Sequence, residues 1–195
     1  MAQNWCMKHV FYVAALSIGL MAGPGRAQPC PTAPDHGAKL NMLISLVQGA
    51  KTENEARAVS DQMWELWTDA PNEQAQAMLD RGMTRRRSFD YLGALADLDA
   101  LVAYCPEYAE GYNQRAFVNY LSGNYAAALV DLDRAIALSP NHIAALSGRA
   151  LTLVGLGRTD DARDALAAAL ALNPWLPERG LTGPGGPLEP PGKDI

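Results

Sequence analysis

Apolar residues recur three and four positions apart through most of residues 39–175, which is the spacing of amphipathic helices. Three prolines in this stretch fall 34 residues apart, at Pro106, Pro140 and Pro174. Each proline follows two helical stretches that a turn signal separates, such as Gly123-Asn124. Because proline cannot continue a helix, the pattern predicts 34-residue helical hairpins, each closed by a proline.

Small and apolar residues fall in fixed columns of these units. The columns hold Gly82, Ala116 and Ala150 at the eighth position, Ala94, Ala128 and Ala162 at the twentieth, and Leu98, Leu132 and Leu166 four positions later. Small residues let the two helices of a hairpin approach closely, and the leucines fill the space between neighbours. The columns therefore predict hairpins that stack on one another.

A 34-residue period with these columns resembles the tetratricopeptide repeat (TPR) family. The resemblance implies an all-α, right-handed α-solenoid of about three repeats, at residues 75–108, 109–142 and 143–176. It covers about 100 of the 195 residues closely. At the seventh position, where the family commonly has leucine, this chain has Arg81, Arg115 and Arg149.

A further helical hairpin is predicted at residues 39–71, after a flexible arm at residues 28–38. The run from Thr52 to Glu55 is a capping box, which favours a helix start there, and the helix is expected to reach Trp67. Because terminal units usually shield the end of a repeat stack, this degenerate repeat is expected to be an N-terminal cap. The alternative is that Trp64 or Trp67 anchors a ligand.

Residues 177–195 are rich in proline and glycine and contain no aromatic residue, so we expect a disordered tail. The apolar face of the last helix, residues 159–172, would then lie partly open. Either Trp175 and Leu176 fold back over it, or it joins another subunit. The second alternative describes a self-assembling structural protein, a homo-oligomer.

The first 27 residues are expected to be a signal peptide. Lys8 and His9 precede an apolar run at residues 10–22, and Gly25-Arg26-Ala27 offers a cleavage site. The run is too short to span a bilayer, so we expect no membrane insertion after cleavage and a secreted protein, periplasmic in a Gram-negative bacterium. Cleavage takes the formal net charge from −5 to −7, which gives no argument for a nucleic-acid partner.

Two cysteines follow this segment, Cys30 and Cys105. In an oxidising compartment an even pair is compatible with one disulfide, and two free thiols are the alternative. A thiol-based redox factor using this pair is a less favoured hypothesis, because the sequence has no Cys-x-x-Cys motif.

Catalytic and metal-binding patterns are missing from the sequence. His36 and His142 are far apart and have no cluster of ligands at metal-binding spacing, and no phosphate-binding loop is present. We therefore expect no enzyme activity and no cofactor. The three arginines at the seventh position recur with Asp97 and Asp131, which predicts structural ion pairs and leaves one arginine over that could touch a ligand.

The resemblance implies that the first helix of each repeat lines a concave groove. Carried onto this chain, the groove-facing positions are Met83, Arg86, Arg87, Asn113, Gln114, Phe117, Tyr120, Ser147, Leu151 and Val154. The carboxylate-clamp variant of the family is not supported, because its positions hold Leu79, Met83, Gln114, Ala144 and Gly148. We expect a non-catalytic scaffold that binds a protein or peptide segment. Arg86 and Arg87 would attract acidic residues, and Phe117 and Tyr120 would give apolar contact.

Overall fold

The computed structural model describes residues 29–190, so the expected signal peptide lies outside the described residues. Within this range the chain is all-α, as predicted, with eight α-helices, a short 3-10 helix and no strand. The α-helices are α1 (Gly37–Gly49), α2 (Glu53–Trp67), α3 (Glu73–Arg87), α4 (Tyr91–Tyr104), α5 (Ala109–Leu121), α6 (Tyr125–Leu138), α7 (Ile143–Gly155) and α8 (Thr159–Leu172), and the 3-10 helix is Pro177–Thr182. None of the helices in this range is long and apolar enough to cross a bilayer.

Three hairpins, α3–α4, α5–α6 and α7–α8, stack in chain order. Gly82 shows why the eighth position must be small: a β-carbon there would lie 2.8 Å from Cγ of Leu98 on the second helix. The first helices α3, α5 and α7 also contact one another along the stack. They therefore form its inner, concave face, as the resemblance implies.

The turn inside the first hairpin differs from the turns inside the other two. Phe89 has a φ of 62°, where the same turn in the later hairpins has Gly123 at 74° and Gly157 at 71°. Glycine adopts this left-handed conformation without steric cost, whereas a phenylalanine does not. Phe89 is 79% exposed, so burial does not offset that cost.

The N-terminal arm is tied to the first hairpin rather than loose. Cys30 and Cys105 form a disulfide, with their Cα atoms 5.2 Å apart. Ala33 packs against the core of α3–α4, and Nε2 of His36 lies 2.8 Å from a carboxylate oxygen of Asp69. The expectation of a flexible arm is therefore corrected for residues 29–38.

The predicted N-terminal hairpin is present as α1–α2, but it does not lie at the end of the stack. Leu43 and Met63 pack in one cluster with Ile143, at the start of α7. Nε2 of Gln48 donates to the carbonyl oxygen of Ala171 in α8, at 2.8 Å. The hairpin thus crosses the concave face, because its large apolar residues find their partners on the last repeat.

The start of α2 is capped as the sequence indicates. Oγ1 of Thr52 accepts a hydrogen bond from the backbone N–H of Glu55, at 3.2 Å. The Glu55 carboxylate accepts in turn from the backbone N–H of Lys51 at 2.8 Å, one residue earlier than a capping box requires.

The expectation of a disordered tail is wrong for residues 177–190. Leu181 and Leu188 pack against the core of α7–α8, and Leu188 is fully buried. Arg163 holds this segment by donating to the carbonyl oxygens of Leu188 and Glu189, at 3.2 and 3.0 Å. Leu181 and Leu188 thus cover part of α8, while Leu172, Trp175 and Leu176 pack against the cluster of α1–α2. The face of α8 on which self-association is predicted is therefore covered by the chain itself.

Candidate ligand-binding site on the concave face

A cavity of about 360 Å³ lies between α2 and the concave face of the stack. Its size is at the lower end of the range for pockets that hold small ligands or side chains. The wall is mainly apolar and comes from α2 (Ser60, Met63, Trp64, Trp67), α5 (Asn113, Gln114, Ala116, Phe117, Tyr120), α7 (Ile143, Ala144, Ser147, Gly148, Leu151, Thr152) and the segment after α8 (Asn173, Leu176, Pro177, Glu178), with Arg86 and Leu132. We call this cavity the concave pocket.

The concave pocket brings together most of the residues that the sequence placed on the groove. Those lining it are Arg86, Asn113, Gln114, Phe117, Tyr120, Ser147 and Leu151. Three others lie elsewhere: Met83 packs against the α3–α4 core, Val154 packs against the α7–α8 core, and the exposed Arg87 donates to Oγ1 of Thr84.

Sequence reasoning assigned the α2 wall to a cap and not to the groove. No repeat column includes α2, so the resemblance gives no position for its residues. The one signal was the pair Trp64 and Trp67, which was considered as a ligand anchor. Both tryptophans line the pocket.

Arg86 and Phe117 lie side by side in the wall of the pocket. The guanidinium carbon of Arg86 lies 4.6 Å from the centre of the Phe117 ring, and Phe117 is 44% exposed. Arg86 also donates to Oε1 of Gln114. Burial lowers the pKa of Arg86, the charge of Arg87 lowers it further, and the charge of Glu110 acts in the opposite direction.

Behind this wall a buried polar network holds α5 against α7. Glu110 is 1% exposed and accepts hydrogen bonds from the side-chain amides of Asn113, at 3.0 Å, and Gln114. Nε2 of His142 lies 2.8 Å from Oε2 of Glu110, while its Nδ1 accepts from the backbone N–H of Ala145. His142 therefore donates from Nε2 to Glu110.

The ring of His142 also stacks on Trp67, with centroids 4.5 Å apart. The network thus links α2 to the stack as well as α5 to α7. Neither Glu110 nor His142 was predicted as part of the site, because helical spacing does not reveal a buried polar pair.

The arginines at the seventh position have a structural role, and none is left over. Arg115 bonds Asp131 of its own hairpin at 2.6 Å and Asp99 of the preceding one at 2.8 Å. The other two pairs are Arg81 with Asp97, at 3.1 Å, and Arg149 with Asp133, at 2.7 Å. The prediction of an unpaired arginine in this column is wrong, because Asp99 and Asp133 take part alongside Asp97 and Asp131.

Residues 29–190 contain no group of three side chains placed to hold a metal ion. Cys30 and Cys105 are joined to each other, and Cys105 is buried, so neither offers a free thiol.

Residues 120–175 match the family model described as Tetratricopeptide repeat. This range includes the last two residues of α5 and all of α6, α7 and α8. No curated protein sequence matches the chain.

Solved structures share the fold. The Arabidopsis OM64 TPR domain is 19% identical, with a TM-score of 0.53, over 54% of this chain and 87% of that one. The TPR2B domain of yeast Sti1, in a complex with pHsp70, is 22% identical, with a TM-score of 0.52, over 57% and 88%. The second TPR domain of human RPAP3, in complex with an HSP70 peptide, is 24% identical, with a TM-score of 0.52, over 54% and 88%. With the 34-residue hairpins and the family match, the chain carries tetratricopeptide repeats.

Proposed function

We propose that this protein is a non-catalytic scaffold that binds a segment of a partner protein through the concave pocket. The observation that carries the proposal is a preformed apolar cavity on the concave face, with Phe117 exposed at its wall beside Arg86. The yeast Sti1 and human RPAP3 domains, which share this fold, are described as complexes with Hsp70 and an HSP70 peptide.

The α1–α2 hairpin limits how a segment would enter. Because α2 forms one wall of the pocket, a partner meets the cavity between α2, α5 and α7 and not an open groove along the whole stack. One or two large apolar side chains fit a cavity of about 360 Å³. The proposed partner segment therefore places an apolar anchor in the pocket and makes its remaining contacts at the rim.

We place this binding outside the cytoplasm. The support is the signal-peptide pattern of the first 27 residues together with the Cys30–Cys105 disulfide. Disulfides form and persist in oxidising compartments and are rare in reducing ones.

Site-specific cross-linking tests the proposal. The photoreactive residue p-benzoylphenylalanine replaces Phe117 in the pocket wall or, as a control, Val130, which is 70% exposed on α6 and outside the pocket. Irradiation in the native extracytoplasmic fraction is expected to yield a partner adduct from position 117 and none from position 130.

A pocket-filling variant makes the test specific. Leu151→Trp, in the cross-linkable protein, places a larger side chain in the cavity and is expected to abolish the adduct. Leu156→Trp is the matched control, because Leu156 is exposed at the end of α7 and does not line the pocket. Helical circular dichroism verifies that both variants fold. An adduct that survives Leu151→Trp, or that forms equally from position 130, contradicts binding in the pocket.

A further inference from the structure

Arg86 differs from the arginines of the repeat column. Arg81, Arg115 and Arg149 each lie within 3.1 Å of an aspartate oxygen. Arg86, in contrast, has no carboxylate within 4.0 Å among residues 29–190. A guanidinium set into a mainly apolar wall is costly unless an anion compensates it.

The acids near the pocket do not fill this role, since Glu178 lines the wall but makes no ion pair with Arg86. Glu110 is fully buried behind Gln114, and its oxygens already accept from Asn113, Gln114 and His142. Arg86 reaches this group only through the Gln114 side chain. Since a guanidinium has five N–H donors, Arg86 retains several for a ligand at the pocket wall.

Several polar groups of the pocket are engaged within the protein, whereas Nε1 of Trp67, Oγ1 of Thr152 and Oε2 of Glu178 are buried there without a hydrogen-bond partner. The amides of Asn113 and Gln114 donate to Glu110, and Oγ of Ser60 donates to the carbonyl oxygen of Ala56. A peptide backbone that entered the cavity would meet these isolated groups and not a row of partners for its own N–H and C=O groups, which is unfavourable. The pocket therefore favours an apolar body with one anionic group over an extended backbone.

From this arrangement we infer that the recognised segment carries an acidic side chain next to its apolar anchor, with the anchor in the concave pocket and the carboxylate on Arg86. The inference rests on the proposed function and names the chemistry of its partner. The carboxylate belongs to an Asp or Glu inside the partner's sequence, because the anchor alone enters the cavity and the backbone stays at the rim. Arg86 then gains a bidentate carboxylate partner, as Arg115 has in Asp131.

Calorimetric titration of the mature protein with blocked peptides tests the inference. The probes are acetyl-Ala-Leu-Glu-Phe-Ala-amide and the same peptide with Gln in place of Glu, so that neither terminus supplies a charge. A charge-assisted hydrogen bond predicts that the Glu peptide binds about tenfold more tightly. Equal affinities, or no binding of either peptide at millimolar concentration, overturn the inference.

Two variants locate the effect. Arg86→Gln is expected to remove the preference for the Glu peptide, and Arg86→Lys to restore part of it. Arg87→Gln is the matched control: it removes a neighbouring positive charge that does not line the pocket, so the preference should survive. A preference that is lost equally in Arg87→Gln reflects general electrostatic attraction and contradicts the role of Arg86.

A free acid distinguishes the source of the carboxylate. 4-Phenylbutyrate offers the same apolar group and anion without a peptide, and 4-phenylbutyramide is its uncharged counterpart. The Glu peptide is expected to bind more tightly than the free acid; the reverse order indicates a small-molecule site and overturns the protein-segment assignment. Equal binding of the Glu and Gln peptides, with the cross-link from position 117 intact, would reject the carboxylate and leave the proposed function standing.

Discussion

The stacked hairpins α5–α6 and α7–α8 and the crossing hairpin α1–α2 are all pairs of helices of similar length, but they are held by different contacts. In the stack the close contacts are made by small residues of the repeat columns, and Ala116, Ala128 and Ala150 are fully buried between helices. In α1–α2 they are made by large side chains such as Met63 and Trp67, which meet Ile143 and His142.

The two kinds of hairpin also differ in what determines their place in the fold. A stacked hairpin finds its place because each unit presents the same surfaces as its neighbour. The α1–α2 hairpin is placed by contacts that occur once, such as Gln48 to Ala171 and Asn173 to Ser60, at 2.8 and 3.2 Å. The concave pocket lies where these two kinds of packing meet, and it exists only while α2 stays docked.

Replacing Trp67 with alanine should separate the two regions. The change removes the stacking on His142 and the apolar contact that Trp67 contributes between α2 and the concave face. We expect the free energy of docking of α1–α2 to fall by about 3–5 kcal/mol. Hydrogen exchange followed by mass spectrometry should show faster exchange in α1 and α2 and little change in α5–α8.

Leu166→Ala is the control inside the stack. Leu166 is fully buried between α7 and α8, so its truncation should accelerate exchange in the stacked hairpins. If Trp67→Ala instead accelerates exchange equally in every helix, the hairpin and the stack unfold as one unit and the comparison fails.

The disulfide should also stabilise the docking of α1–α2, because it restricts the chain that leads into this hairpin. Cys30 and Cys105 are 75 residues apart, and the loop that they close contains the four helices α1 to α4. Chain entropy gives a loop of this length a stabilisation of up to about 4 kcal/mol. The double variant Cys30→Ser, Cys105→Ser is expected to lower the denaturant midpoint, with α1–α2 exchanging first.

Reduction of the unmodified protein provides the comparison for that variant. Dithiothreitol should bring its midpoint to that of the double serine variant, because both lack the same cross-link. A midpoint that stays constant in both cases would show that the docked hairpin does not depend on the cross-link.

The repeat itself was readable from the sequence because its signal recurs. The columns of proline, small residues and leucine each appear three times, and each copy supports the others. Six of the residues of α5 and α7 that line the pocket followed from the family resemblance, since a position in a repeat fixes a face. Phe117 and Ser147 were found in this way.

The placement of α1–α2 and of the tail was not readable, because each depends on contacts that occur once. Met63 and Trp67 mark an apolar face but do not indicate which surface it meets. Leu188 lies in a segment that is rich in proline and glycine, and the composition of this segment predicts disorder. The segment is nevertheless ordered, because Leu188 is buried against α7–α8. A contact that occurs once, between residues far apart in the chain, produces no repeating pattern in the sequence.

The ion pairs of the arginine column give the finest test of the comparison between stacked and crossing hairpins. Arg115 has a carboxylate on both sides, Asp131 and Asp99, because a hairpin precedes its own in the stack. Arg81 bonds only Asp97 in its own hairpin, since α1–α2 does not take the preceding place, and Asp97 also bonds Arg85.

Arg115→Ala is therefore expected to lower the free energy of unfolding by about 2 kcal/mol, because it leaves the buried carboxylate of Asp131 without its partner. Arg81→Ala should cost less than about 1 kcal/mol, because the side chain is half exposed and Asp97 keeps Arg85. Urea unfolding of the two variants at matched ionic strength measures the difference. Equal losses would mean that Arg81 receives support equivalent to a stacked neighbour, and that the first hairpin is packed like the other two.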